Sequence, residues 1–70
     1  MKIGDYIFIL PSEELAEMQL MPIAFRHGRI VEIRSNTSGV YGAWVELVGE
    51  PYYNEQEWFI PIESMKYEGI

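Results

Sequence analysis

Gly28-Arg29-Ile30-Val31-Glu32-Ile33-Arg34, then Ser35-Asn36-Thr37-Ser38-Gly39, then Val40-Tyr41-Gly42-Ala43-Trp44-Val45-Glu46-Leu47-Val48, is the stretch on which the fold class turns. The first run is rich in β-branched residues and predicts a strand. The middle run is a polar turn of the kind that separates two strands. The last run alternates: Ala43, Val45 and Leu47 point one way, and Trp44, Glu46 and Val48 the other. Two strands joined by a short turn make a hairpin, and the rest of the chain is read outward from it.

Upstream, Gly4-Asp5 is a turn dipeptide that opens the strand Tyr6-Ile7-Phe8-Ile9-Leu10, which closes at Pro11. Both faces of that strand are apolar, with Ile7 and Ile9 on one side and Tyr6, Phe8 and Leu10 on the other. It is therefore covered on both faces, or one face contacts something else. In the long connection that follows, Ser12 is a good helix N-cap, and Glu13 and Glu14 place negative charge in the first turn. Leu15 and Met18 fall on one face, and Pro22 stops the helix, so a short helix to about Leu20 is predicted. Downstream, Gly49 to Asn54 connects to a fourth strand, Glu57 to Ile60, ending at Pro61. A 3₁₀ turn at Ile62 to Met65 and a last strand at Lys66 to Glu68 complete the chain. The predicted core is Ile7, Ile9, Ile30, Ile33, Val45, Leu47 and Ile60.

The chain has 70 residues, 49% of them hydrophobic, which is room for one domain spanning residues 1–70. Five short strands with tight connections cannot hide their edges in a flat sheet this small, and curling the sheet into a barrel removes them. The net charge of −6 opposes non-specific binding to nucleic acid or anionic membrane. Charge is unevenly placed: Arg26, Arg29 and Arg34 outnumber Glu32 in the middle of the chain, while Lys66 faces six glutamates after residue 42. Zero cysteines exclude disulfides, thiolate–zinc sites and cysteine nucleophiles. No apolar run approaches the ~20 residues that span a bilayer. Met1-Lys2-Ile3-Gly4-Asp5 has no signal-peptide apolar region, so a soluble cytoplasmic protein is expected.

Candidate chemistry is sparse. His27 is the single histidine, and no orienting partner or nucleophile for it is visible in the sequence. One imidazole does not make a zinc site, and no calcium-loop pattern or phosphate-binding glycine cluster occurs. No enzyme, cofactor or metal is expected. Aromatics are the strongest signal: Tyr6, Phe8, Tyr41, Trp44, Tyr52, Tyr53, Trp58, Phe59 and Tyr67 are too many for one small interior. Such rings plug the ends of a barrel with their polar tips in water, or they form a contact surface. Tyr6, Trp44, Tyr52, Tyr53 and Trp58 are the candidate binding residues, with the partner another protein or a second copy of the chain.

Gly4-Asp5-x-Ile7, a loop, Gly28-Arg29-Ile30-Val31-Glu32-Ile33, Trp44-Val45-Glu46-Leu47 and Trp58-Phe59-Ile60-Pro61 together resemble small Src-homology-3-like barrels, including many bacterial members. The resemblance covers nearly the whole chain and implies a mostly β, five-stranded barrel with one short helix in the long loop after strand 1. Within that superfamily, KOW-type barrels share the Gly28 to Ile33 pattern. That likeness implies an alternative role as a nucleic-acid or ribonucleoprotein accessory domain, for which the basic residues in this chain would be Arg26, Arg29 and Arg34. Signalling adaptor barrels carry acidic residues where this chain has Glu13, Glu14 and Glu17, but their A-L-Y-D-Y segment is missing here. No functional residue is assigned by either likeness.

Overall fold

The computed structural model describes residues 2–35, 39 and 41–68. Its elements are β1 (Tyr6–Ile9), α1 (Glu13–Glu17), a 3₁₀ turn (Met21–Ile23), β2 (His27–Ser35), β3 (Tyr41–Leu47), β4 (Glu57–Pro61), a second 3₁₀ turn (Ile62–Ser64) and β5 (Met65–Tyr67). The five strands form one antiparallel sheet in the order β4-β3-β2-β1-β5. The fold is therefore mostly β, as the strand patterns predict. Of the expected turn between β2 and β3, Asn36, Thr37 and Ser38 lie outside the described residues, as does Val40.

β4 and β5 stand at opposite ends of the sheet order, yet only Ile62–Ser64 separate them in the chain. Laid flat, five strands would hold those edges about 19 Å apart at the usual interstrand spacing. A 3₁₀ turn of that length advances about 8 Å. The sheet must therefore curl on itself, although no ladder joins β4 to β5 among the described residues. Two strand glycines sit where curling brings neighbours close. A Cβ on Gly28 would stand 2.2 Å from Val45 Cγ1, and one on Gly42 would stand 2.2 Å from the Ile60 carbonyl oxygen. The outer edge of β4 is blunted. Leu47 N–H bonds Gln56 O, and continuing that pattern turns the N–H groups of Glu57 and Phe59 outward, with Pro61 next in line and no N–H to offer.

The inner face carries the core: Ile7 and Ile9 from β1, Ile30 from β2, Ala43, Val45 and Leu47 from β3, and Ile60 from β4. Ile30 and Ile33 are three apart, a spacing that regular alternation would send to opposite faces. A β-bulge resolves the conflict. The register runs Ile30↔Val45, then Glu32↔Trp44 and Ile33↔Ala43, leaving Val31 as the extra residue. Ile33 thus returns to the inner side, but it is only half-buried and packs on the margin of the core rather than within it. The expectation that it is a core residue is corrected accordingly.

The connection between β1 and β2 closes the open end of the core. Ser12 caps α1, its Oγ accepting the Leu15 N–H at 3.1 Å, as expected. The helix stops at Glu17, short of the predicted Leu20 and well before Pro22. Its end is a Schellman motif: Leu20 N–H bonds Leu15 O and Gln19 N–H bonds Ala16 O, each at 3.0 Å, with Gln19 at φ +60°. The reason is apolar: this turn folds Leu20 back onto Leu15, and both join Ile23 in the core cluster. Ser64, in the second 3₁₀ turn, is fully buried, and its Oγ lies 2.5 Å from Ser12 Oγ. One hydroxyl of Ser12 thus serves the helix cap and the turn between β4 and β5.

Ser12→Ala removes the cap and strands the buried Ser64 hydroxyl, so urea unfolding should show a loss of about 2 kcal/mol or more. The Ser12→Ala/Ser64→Ala pair should cost less than the sum of the single changes. Gln19→Gly relieves a left-handed backbone position and should raise stability by about 0.5–1 kcal/mol in the same assay.

Candidate functional site

The strand registers map the outer face of the sheet. Tyr6, Arg29, Glu46 and Glu57 form one row across β1, β2, β3 and β4, and Glu32, Trp44 and Phe59 form the next. α1 contributes Leu15 to the core and packs against β4 and the second 3₁₀ turn, so its apolar side faces inward. Tyr6 accordingly remains 50% exposed on the outer face. Trp44 is half-buried and meets Phe59 edge-on, with ring centroids 6.1 Å apart.

Tyr52, Tyr53 and Trp58 come together elsewhere. Tyr52 and Glu55 exchange both backbone hydrogen bonds, at 3.0 and 2.9 Å, around Tyr53 (φ +50°) and Asn54 (φ +61°). Two successive positive φ values in a two-residue loop are the hallmark of a type I′ turn, which favours Asn and Gly. Asn54 suits it. Tyr53, a bulky aromatic, does not, yet it sits at the tip with 79% of its surface exposed. Its ring stands 4.6 Å from Tyr52, and Tyr52 stands 5.4 Å from Trp58. Trp58 is opposite Val45, hence on the core face, where it packs half-buried on the edge of the core. Its Nε1–H donates to Glu55 O at 3.0 Å. Gln56 Nε2 donates to Leu47 O and Gly49 O, tying the base of the small hairpin to the end of β3. Partial burial, and then the adjoining Tyr53 hydroxyl, hold the Tyr52 phenol above its ordinary value.

The five candidate residues therefore divide into three places: Tyr6 on the outer face, Trp44 beside Phe59 in the next row, and Tyr52, Tyr53 and Trp58 around the hairpin tip. Phe25 was not singled out from the sequence. It is 63% exposed at φ +69° and faces Phe8 at 6.1 Å, while Phe8 in turn lies 5.0 Å from the His27 ring. Its backbone position depends on a tertiary hydrogen bond, Phe25 N–H to Ile9 O at 2.6 Å, for which local sequence carries no signal.

His27 Nδ1 lies 2.6 Å from Glu68 Oε1, so the histidine has a carboxylate partner across 41 residues of sequence. Two of the arginines, Arg26 and Arg29, are occupied. Arg26 Nη2 donates to the carbonyls of Val48 at 3.0 Å and Glu50 at 2.5 Å, and Arg29 pairs with Glu46 at 3.3 Å. The Arg34 side chain lies outside the described residues. No helix among the described residues is long and apolar enough to cross a membrane. No family model, curated protein or solved structure matches the chain.

With Arg26 and Arg29 engaged inside the protein, random duplex DNA at physiological salt should bind no tighter than about 100 μM. Fluorescence anisotropy with a labelled duplex checks this, and a micromolar complex whose affinity falls steeply with salt would contradict it.

Proposed function

We propose that the chain is a non-enzymatic protein-interaction module whose contact surface is the aromatic hairpin tip of Tyr52, Tyr53 and Trp58. The observation that carries the reading is Tyr53, a large apolar ring held 79% exposed in a backbone conformation that its residue type avoids. Strain of this kind, about 1–3 kcal/mol at a residue, persists where surrounding structure enforces it, and it clusters at functional sites. The tip is pre-organised by the Trp58–Glu55 and Gln56 hydrogen bonds, which lowers the ordering cost of binding. Tyrosine and tryptophan are the side chains that most often anchor protein contacts. The net charge of −6 opposes pairing of two copies, so the partner is another polypeptide. A Src-homology-3-like barrel is the architecture proposed beneath this surface. Its support is the sheet order and the three-residue turn that draws β4 and β5 together.

Tyr53→Gly separates function from stability. Glycine adopts the positive φ without strain, so the melting temperature should stay equal or rise. In quantitative pull-downs, a partner recovered by the natural chain should fall at least tenfold with the variant. Unchanged recovery by a folded Tyr53→Gly protein would overturn the proposal.

A further inference from the structure

A groove of about 750 Å³ opens where β5, β1 and β2 adjoin, away from the hairpin tip. Tyr6 and Tyr67, 50% and 45% exposed, line it together with Val48 and His27, and Asp5 and Glu68 supply two carboxylates. Each carboxylate is anchored through one oxygen: Asp5 Oδ2 accepts the Lys2 backbone N–H at 2.9 Å, and Glu68 Oε1 meets His27 Nδ1 at 2.6 Å. Among the described residues, the other oxygen of each carboxylate shows no hydrogen bond. Partial burial, and then the Asp5 charge, hold the Tyr67 phenol above its ordinary value, so the negative field of Asp5 reaches the groove wall. Lys66, opposite Phe8, and Arg29, opposite Tyr6, stand nearby, but neither lines the groove, and Arg29 is held by Glu46.

Aromatic faces attract cations, and carboxylates fix their position. The volume falls in the range of sites that hold whole small ligands and exceeds what one ammonium group fills. A long aliphatic stem ending in a cation fits this lining: the rings and Val48 flank the stem, and the carboxylates meet the head. The overall charge of −6 steers a basic partner toward the surface. We propose that the groove between Tyr6 and Tyr67 is a recognition site for a basic side chain, lysine or arginine, presented by a partner polypeptide. It shares no residue with the hairpin tip and therefore stands or falls separately from it.

Titrating the ¹⁵N-labelled chain with a capped Gly-Lys-Gly peptide tests the site. Saturable amide shifts should concentrate at residues 4–6, 27, 48 and 67–68, and the same peptide with norleucine in place of lysine should give none. Asp5→Asn and Tyr6→Leu, each checked for an otherwise unchanged spectrum, should weaken binding at least tenfold. Tyr53→Gly should leave it unchanged. The proposal is overturned by unsaturated shifts spread over the acidic surface, by equal binding of the norleucine peptide, or by no saturable response up to about 10 mM peptide. Butylammonium binding more tightly than the peptide would overturn the assignment to a polypeptide.

Discussion

Three residues, Ile62–Ser64, join the two outermost strands of the sheet, and most of the architecture answers to that short tether. To bring β4 near β5 the sheet has to coil, and coiling turns one face of every strand toward a common interior. Side-chain room then becomes scarce. Gly28 is bare because Val45 occupies the space its Cβ would take, and Gly42 because the Ile60 carbonyl does. The bulge at Val31 serves the same end, adding local twist and rotating Ile33 back toward the inner side.

A coiled sheet of 4, 9, 7, 5 and 3 residues leaves an open end, and the segment between β1 and β2 fills it. Leu15, Leu20 and Ile23 enter the core from that segment, held by the Ser12 cap, the Schellman turn and the Ser12–Ser64 contact. The last of these ties the plug to the tether itself, so one buried pair of hydroxyls links the two devices that enclose the core. Because the plug commits its apolar side inward, it is not available to cover Tyr6 on the outer face.

That division shapes the surface chemistry. Aromatics close to the core edge, Tyr52 and Trp58, serve as backing for an exposed ring at Tyr53, whereas Tyr6 and Tyr67 wall a groove with two carboxylates. Arg26 and Arg29 of the middle segment, which in sequence look like part of a patch, are spent on carbonyls and on Glu46.

The sequence by itself determined the strands, the N-cap at Ser12 and the inward residues of β1 and β3, because alternation and capping are local and act within a few positions. Ala43, Val45 and Leu47 bury themselves as their spacing requires. The abundance of aromatics was equally plain, and with it the expectation that some lie open. Which rings gather and which stand apart was decided by the tertiary structure. Tyr52, Tyr53 and Trp58 meet through a hairpin whose positive φ values no local preference of Tyr53 would select. Tyr6, Tyr67 and Glu68 meet through pairing of β1 with β5, across about sixty residues of chain. The early stop of α1 at Glu17 has the same origin: Leu20 reaches the core only if the helix ends before it, and burial of that side chain outweighs the unfavourable backbone of Gln19.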